Sequence, residues 1–429
     1  MTTKRLILLA ALTIAGFGAG ALLPSSPGKS AHAGSDKLPP AETYLAVMRN
    51  IHAHYVPQNA SGKVPDDTRL TYAAISGMLG VLNDRYTQFW TPKEYAANME
   101  ETSGVFAGIG TTLDTNKDGK VVVLQTVPES PAAKMGIVPG DILTQINKRP
   151  LSGKSLDAVT ELLKGTPGTS VTLTLRRAKT PAPVTVQLTR ALVAAPLVES
   201  RMADTTHSIG YVSLSLFGEN ADAQFAKAVA KLEKQGMRGM VFDLRDNPGG
   251  LLTVAQEIAS RFVTEGVIVW TQEKNGKMTA LEAEPGKRET GLSRGEYPVI
   301  VLVNEGSASA SEIVAGAIKD HSAGKLVGTR TYGKGLVQTI FPLDDDSAVK
   351  ITTQHYFTPS KTDIHKKYDK RTGALISGGI APDVTVQLSD DDWFNMRDAR
   401  RAAPTDANAA DKFDPQLRKA LTLLQAQLD

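Results

Sequence analysis

The sequence predicts a multidomain α+β protein, and three changes of texture along its 429 residues predict it. Apolar residues recur at helical spacing from 40 to about 99, and short β-branched runs broken by turn residues follow from 104 to about 192. Strand, loop and helix then alternate from 209 onward, the order of an α/β core with a largely parallel sheet. A chain of this length buries a sizeable core and divides into two or three domains. The boundaries expected are 1–33 for a targeting segment, 40–100 for a helical N-terminal domain, 104–192 for a small β-barrel, 193–400 for the core, and 401–429 for a linker and closing helix.

The chain opens with Lys4 and Arg5, then an apolar run over 6–23 rich in Leu, Ala and Gly. Ser25, Ser26, Pro27 and Gly28 break the run, and Ala31-His32-Ala33 puts small residues where a signal peptidase reads them. Residues 1–33 therefore read as an export signal, sending the remainder to the periplasm or an equivalent exported location. The run is nearly long enough to span a bilayer, so an uncleaved anchor is the other reading, and membrane contact is then confined to this segment. There is no cysteine, which excludes disulfides, a thiol nucleophile, thiolate metal sites and a lipidated N-terminal cysteine. It also suits an oxidising compartment. A net charge of +3, with basic and acidic residues nearly balanced, gives no footprint for nucleic acid.

In the first domain Leu45, Val47, Met48, Ile51 and Tyr55 mark one helix and Tyr72, Ile75, Met78, Leu79 and Leu82 a second, joined by a polar stretch. In the second, strands are expected at 110–113, 121–126, 142–146, 171–176 and 184–188, with helices at 131–135 and 156–163. In the core, strand 209–216 precedes helix 221–234, strand 240–244 precedes helix 251–263, and strand 299–303 precedes helix 311–319. Active sites in such cores lie where strands end and helices begin. Residues 401–412, rich in Ala, Asp and Pro, read as a linker, and 415–428 as a helix.

The most informative stretch is Val303-Asn304-Glu305-Gly306-Ser307-Ala308-Ser309-Ala310-Ser311-Glu312, an apolar strand entering a turn of tiny residues and then a helix. A serine projected from such a turn leaves room for a substrate backbone, and the helix N-terminus offers N–H donors and a positive dipole end to an oxyanion. Alternating Ser and Ala also caps helices, and Ser311 with Glu312 reads equally as a cap. Lys334 lies between Gly333 and Gly335. A lysine serves as a general base only when burial makes it neutral near pH 7, and the other reading of a Gly-Lys-Gly turn is an exposed loop lysine. Gln338, four residues on, could accept or donate a hydrogen bond that orients the amine without adding charge.

Taken together, NEGSASASEI, AGAIKD and VGTRTYGKGLVQ resemble the catalytic region of the C-terminal processing peptidases, also called tail-specific proteases. The resemblance implies Ser309 as nucleophile, Lys334 as general base, Gln338 as its support, and a more structural part for Asp320. The run Asp243-Leu244-Arg245-Asp246-Asn247-Pro248-Gly249-Gly250 resembles the DLRxNPGG element of that family, although members often carry Asn where this chain has Asp246. It implies an oxyanion hole of backbone N–H groups from Gly249 or Gly250 together with Ala310, in a core of ClpP/crotonase type.

Upstream, Gly104-Val105-Phe106-Ala107-Gly108-Ile109-Gly110 and the following Thr111-Thr112-Leu113 resemble the carboxylate-binding loop and strand of PDZ domains, and Gly136-Ile137-Val138-Pro139-Gly140-Asp141-Ile142-Leu143 resembles their GLxxGDxI element. Free N–H groups in a glycine turn hold a terminal carboxylate, and the strand edge takes up a peptide by β-augmentation. Phe106, Gly108, Ile109, Gly110 and Leu113 are the expected tail-binding residues, with Leu156, Val159 and Leu163 supplying an apolar pocket.

Weaker matches read as turns. Gly328 to Gly335 nearly fits a phosphate-binding loop, but Gly335 stands where a Ser or Thr should ligate magnesium. Ser322-Ala323-Gly324-Lys325 lacks the companion elements of penicillin-recognising enzymes. Asp114 to Gly119 begins like a calcium loop, yet Gln125 replaces the bidentate Glu and a hairpin explains it better. A histidine triad would need His207, His321, His355 or His365, none of them framed by glycines. No metal and no cofactor is called for. The expectation is an exported serine endopeptidase acting on proteins with apolar C-terminal tails; the readings beside it are a catalytically silent PDZ scaffold and an acyl-transfer enzyme. A homo-oligomer and an adaptor lipoprotein, of the kind the family resemblance allows, stay open.

Overall fold

The computed structural model describes residues 39–429 except 58–61, 117, 179, 181, 287–291, 293, 294, 403–405 and 407, so the signal segment read at 1–33 lies outside the described residues. Among the described residues no helix is long and apolar enough to cross a membrane. The chain divides into two compact units, Met1–Thr71 and Tyr72–Asp429.

In the first unit the helix Pro40–His54 starts on a proline, whose missing N–H is one that a first helical turn leaves unpaired anyway. Tyr44 and Thr71 share a hydroxyl hydrogen bond of 2.7 Å between this helix and the next, Asp67–Gly80. Neither helix buries a residue. In the second unit the stretch read as wholly helical contains a strand, Gln88–Trp90, before the helix Pro92–Ser103. Its three residues pair antiparallel with Lys350, Val349 and Ala348. Three residues are too few to show a period, and a partner so distant in sequence leaves no local signal.

Between Val105 and Ala194 the chain forms a small β module. Strands Thr111–Thr115, Val121–Thr126, Ile142–Ile146, Ser170–Arg176 and Val184–Thr189 lie in that order, all antiparallel. Its own core is built from residues such as Val123, Leu143, Val159 and Leu173. Among the strands that escaped the sequence reading, Val105–Gly108 pairs with Ala191–Ala194 where the chain enters and leaves the module, and Arg149–Pro150 pairs with Ile142–Ile146. The Asp114–Gly119 run is indeed a hairpin turn, with Asn116 Oδ1 accepting the N–H groups of Asp118 and Lys120. Asp141 is fully buried, where it accepts from the Val138 N–H and from two nitrogens of Arg177 at 2.7 Å each. That bidentate pairing is why a carboxylate is tolerated inside so small a core.

The core is a six-stranded sheet in the order Val198–Asp204, Ile209–Leu214, Gly239–Asp243, Val299–Val303, Lys325–Gly328, Val384–Thr385, parallel except for its first pairing. Every residue of Gly239–Asp243 and Val299–Val303 is buried, as a parallel sheet covered on both faces requires. Side chains alternate between two layers. Met240, Phe242, Val299, Val301 and Val303 pack with the helices Ala221–Lys234, Leu252–Ala259 and Ala310–Asp320. Val241, Ile300 and Leu302 pack on the other face with Leu417, Ala420 and Leu424 of the closing helix Pro415–Leu428. A second, antiparallel sheet orders Gln88–Trp90, Ala348–Phe357, Val267–Glu273 and Met278–Glu282, and Leu336–Pro342 also pairs with Ala348–Phe357. Ser309 follows strand Val299–Val303, the loop after Gly239–Asp243 lies beside it, and Lys334 precedes strand Leu336–Pro342.

The closing helix is thus an integral layer rather than a tail. Leu424→Ala removes a side chain with no exposed surface and is expected to lower stability by about 3 kcal/mol, read as a lower urea midpoint for the unfolding of the core.

Candidate active site

Two loops leave the carboxyl ends of adjacent parallel strands and are zipped together by polar contacts. Ser307 Oγ donates to the Leu244 carbonyl at 2.7 Å, and the Ala308 N–H and Ser311 Oγ both donate to the Asn247 carbonyl. Asn304 Nδ2 donates to Asp246 Oδ1 and its Oδ1 accepts the Asp246 N–H, each at 2.9 Å. Tiny side chains are required here: a Cβ on Gly249 would lie 2.8 Å from Ser309 Cβ, and Gly249 also has a φ of +106°.

At this junction Ser309 immediately precedes the helix Ala310–Asp320, with a left-handed φ of 56°. Such a backbone costs a non-glycine residue of order 1–3 kcal/mol and persists only when its surroundings hold it. Both peptide groups of Ser309 are held: its N–H donates to Glu312 Oε2 at 3.0 Å, and its carbonyl accepts from the buried Tyr356 hydroxyl at 3.1 Å.

Glu312, read from sequence as part of a cap, has a larger part. Its carboxylate has no exposed surface and accepts four donors. Oε2 takes the N–H of Ser309 and that of Lys334 at 2.8 Å; Oε1 takes the Thr331 hydroxyl at 2.6 Å and the Gly333 N–H at 2.7 Å. One oxygen therefore joins the backbones of Ser309 and Lys334. Burial pushes the Glu312 carboxyl upward, and these hydrogen bonds oppose the shift.

Lys334 is partly buried, which lowers its ammonium from the usual range to about 8; the Lys350 charge adds to the effect, and Glu312 and Asp84 oppose it. Its Nζ stands 5.1 Å from the centroid of the Tyr86 ring. No hydrogen bond joins it to Ser309 or to Gln338 among the described residues. Gln338 instead donates from Nε2 to Thr352 Oγ1 at 3.3 Å, on the neighbouring strand. Of the backbone groups expected to meet an oxyanion, the Gly249 N–H already donates to Asn247 Oδ1 at 2.9 Å. The N–H groups of Gly250 and Ala310 have no acceptor among the described residues. Asp320 closes its helix by accepting the Ser360 N–H. Arg245 bridges Asp243 to Asp414 and Gln416 of the closing helix segment.

Of His207, His321, His355 and His365, none hydrogen-bonds Ser309 among the described residues. His207 pairs with Asp204, and His321 bonds the Val267 carbonyl. His355 and His365 meet edge to face. Gly328 of the near phosphate-loop match is a packing glycine, since a Cβ there would lie 2.0 Å from the Val303 carbonyl oxygen.

In the β module, Phe106, Gly108, Ile109, Gly110 and Leu113 all line one groove of about 590 Å³, with Leu163 opposite. Leu156 and Val159 of the same helix pack into the module's core instead. Glu100, absent from the sequence reading, reaches the groove from the preceding helix: its carboxylate accepts the Ala107 N–H and pairs with Lys164, each at 3.3 Å.

Comparison with known proteins agrees with this architecture. A profile of peptidase family S41 matches residues 208–386, and one of the PDZ domain matches 122–177. A carboxyl-terminal-processing protease of Synechocystis sp. is 35% identical over 320 residues, covering 74% of this chain and 71% of that protein. A carboxy-terminal-processing protease of Bartonella bacilliformis is 34% identical over 347 residues, covering 80% of this chain and 74% of that protein. A crystal structure of a candidate S41 protease from Bacteroides fragilis superposes with a TM-score of 0.51 at 16% identity, over 90% of this chain and 97% of that one, a likeness of fold.

Glu312→Gln keeps the shape of the side chain but turns an NH2 group toward N–H or O–H donors, whichever way the amide faces. The expected result is a loss of about 3 kcal/mol in unfolding free energy and a fall in peptide cleavage of about a hundredfold or more. Wild-type values for both would remove Glu312 from the site.

Proposed function

This chain belongs to peptidase family S41, the family of carboxyl-terminal-processing serine proteases, and on that premise we propose that it cleaves exported proteins whose apolar, unstructured C-termini it holds in its PDZ groove. The observation that carries the reading is the single Glu312 oxygen bonded to the N–H of both Ser309 and Lys334, which sets the two chain segments side by side.

In this reading Ser309 Oγ attacks the scissile carbonyl while neutral Lys334 Nζ takes its proton. The N–H groups of Ala310 and Gly250 receive the oxyanion, and the first of them adds the positive end of the helix dipole. As the tetrahedral intermediate collapses, Lys334 returns the proton to the departing amine, leaving an acyl-enzyme on Ser309. Lys334 then takes a proton from the water that attacks the ester and gives it back to Ser309. For the first transfer the amine leaves the Tyr86 ring and turns toward Ser309, with Gln338 steadying it there. The core supporting this chemistry is of ClpP/crotonase type.

Thr111–Thr115 is an edge strand of its sheet, so it has a free side on which a peptide can add as a further strand. The glycine turn Gly108-Ile109-Gly110 faces the tail's carboxylate, and Phe106, Leu113 and Leu163 form the apolar surface for its last side chain. Residues 1–33 serve export. A silent scaffold would have no use for a lysine whose ammonium is weakened by burial.

Ser309→Ala and Lys334→Ala are each expected to lower cleavage of a peptide ending in apolar residues by at least about a thousandfold; turnover retained in either variant rejects the dyad. Because the base must be unprotonated, kcat/KM of the wild type is expected to rise with pH and reach half its plateau near the Lys334 value of about 8. A profile already flat from pH 6 upward would exclude Lys334 as the titrating group.

A further inference from the structure

Two lysines face the candidate site, and the mechanism above uses one. Lys350 lies on strand Ala348–Phe357, paired with Ile340 on one side and Gln88 on the other. Alternate residues of a strand share a face, so Lys350 lies on the face of Thr352, which accepts the Gln338 amide. The Thr352 N–H donates to Thr87 Oγ1, and the Thr87 hydroxyl donates to Asp84 at 2.7 Å. The short segment that begins with Asp84 then seats both amines. Lys334 Nζ lies over the Tyr86 ring, and Lys350 Nζ lies 4.7 Å from the centroid of the Trp90 ring. Asp84 attracts both.

We propose that Lys350 is a positioning residue for the reaction: its ammonium, held on Trp90, is a like charge that keeps Lys334 neutral and ready to accept the Ser309 proton. The inference rests on Lys334 being the base.

The groups around Lys334 show why a second cation is needed. Glu312 approaches from the helix Ala310–Asp320, and Asp84 from the segment before Gln88–Trp90; both favour the ammonium form. The face of Tyr86 favours it too. Tyr332, 3.4 Å from the Tyr86 hydroxyl, carries Lys366 over its ring at 3.8 Å. His355 and His365 pack edge to face near Gly335, against which His365 rests. Burial works against the charge on Lys334, and of the neighbouring charges Lys350 alone acts in the same direction as burial. Lys350 sits on indole, the better of the two rings for a cation; burial lowers its own ammonium as well, and Asp84 opposes that. A fixed charge beside a titrating lysine is a recognised way of weakening an ammonium.

The test is the pH dependence of kcat/KM on a peptide with an apolar C-terminus, for full-length wild type, Lys350→Met, Lys350→Gln, Lys350→Arg and Lys334→Ala. Methionine keeps the stem over Trp90 and removes the charge; glutamine does so with a polar end, for use should the methionine variant fail to fold. Either neutral variant is expected to move the acid limb upward by about half a pH unit or more, so that activity lost at pH 7 returns at high pH. Lys350→Arg keeps the charge and is expected to keep the wild-type limb. A neutral variant that turns over with its limb at the wild-type position, or an arginine variant displaced as far as the neutral ones, overturns the inference while leaving the dyad intact. Turnover in Lys334→Ala overturns the dyad and this inference together.

Discussion

The candidate site depends on one buried carboxylate. A charge without water is costly unless its lone pairs are filled, and Glu312 fills them with three backbone N–H groups and one hydroxyl from two separate stretches of chain. Those stretches are consequently fixed to within one hydrogen bond of a common atom. Ser309, just before the helix, has a strained backbone that needs a partner to hold it; the loop Thr331–Lys334 has no regular structure to hold it. Glu312 stabilises both at once. What it leaves adjustable is the lysine side chain, whose amine rests on Tyr86.

The parallel sheet makes this arrangement affordable in folding terms. Its central strands are buried at every position, so their ends are rigid and the loops that leave them start from fixed points. Ser307, Asn304 and Asn247 then stitch neighbouring loops together, and Tyr356, from the second sheet, takes the carbonyl of Ser309. Arg245 of the loop motif pairs with Asp243 beside it and with Asp414 of the closing helix segment, so the loop after Gly239–Asp243 is tied to that segment.

Much of this was legible beforehand where the signal is local. The run of buried β-branched residues at 299–303, the tiny turn after it and the helix beyond it are all written in adjacent positions. The module at 104–192 was equally readable, because its strands alternate and its turns carry Gly and Asn. The unread parts are those whose meaning lies in a distant partner. Gln88–Trp90 is a strand only because Ala348–Phe357 offers it an edge. Glu312 resembles an ordinary capping residue, since nothing in its neighbours tells that Thr331, Gly333 and Lys334 converge on it. Gly249 and Gly250 are adjacent and alike in sequence, and only the Asn247 side chain, by occupying the first N–H, tells them apart. Lys350 stands in a strand as unremarkable as any other lysine, and Glu100 in a helix as unremarkable as any other glutamate.

The strand Gln88–Trp90 carries a further consequence. It is the anchor of the segment on which both amines rest, and its partner strand is made hundreds of residues later in synthesis. Until those two parts of the chain have docked, Lys334 is wrapped in water and keeps its proton as any exposed lysine does. On the mechanism proposed above, a molecule in which they have not docked lacks the buried amine that the proton transfer requires. The surroundings of that amine are thus set by a pairing between parts of the chain far apart in sequence.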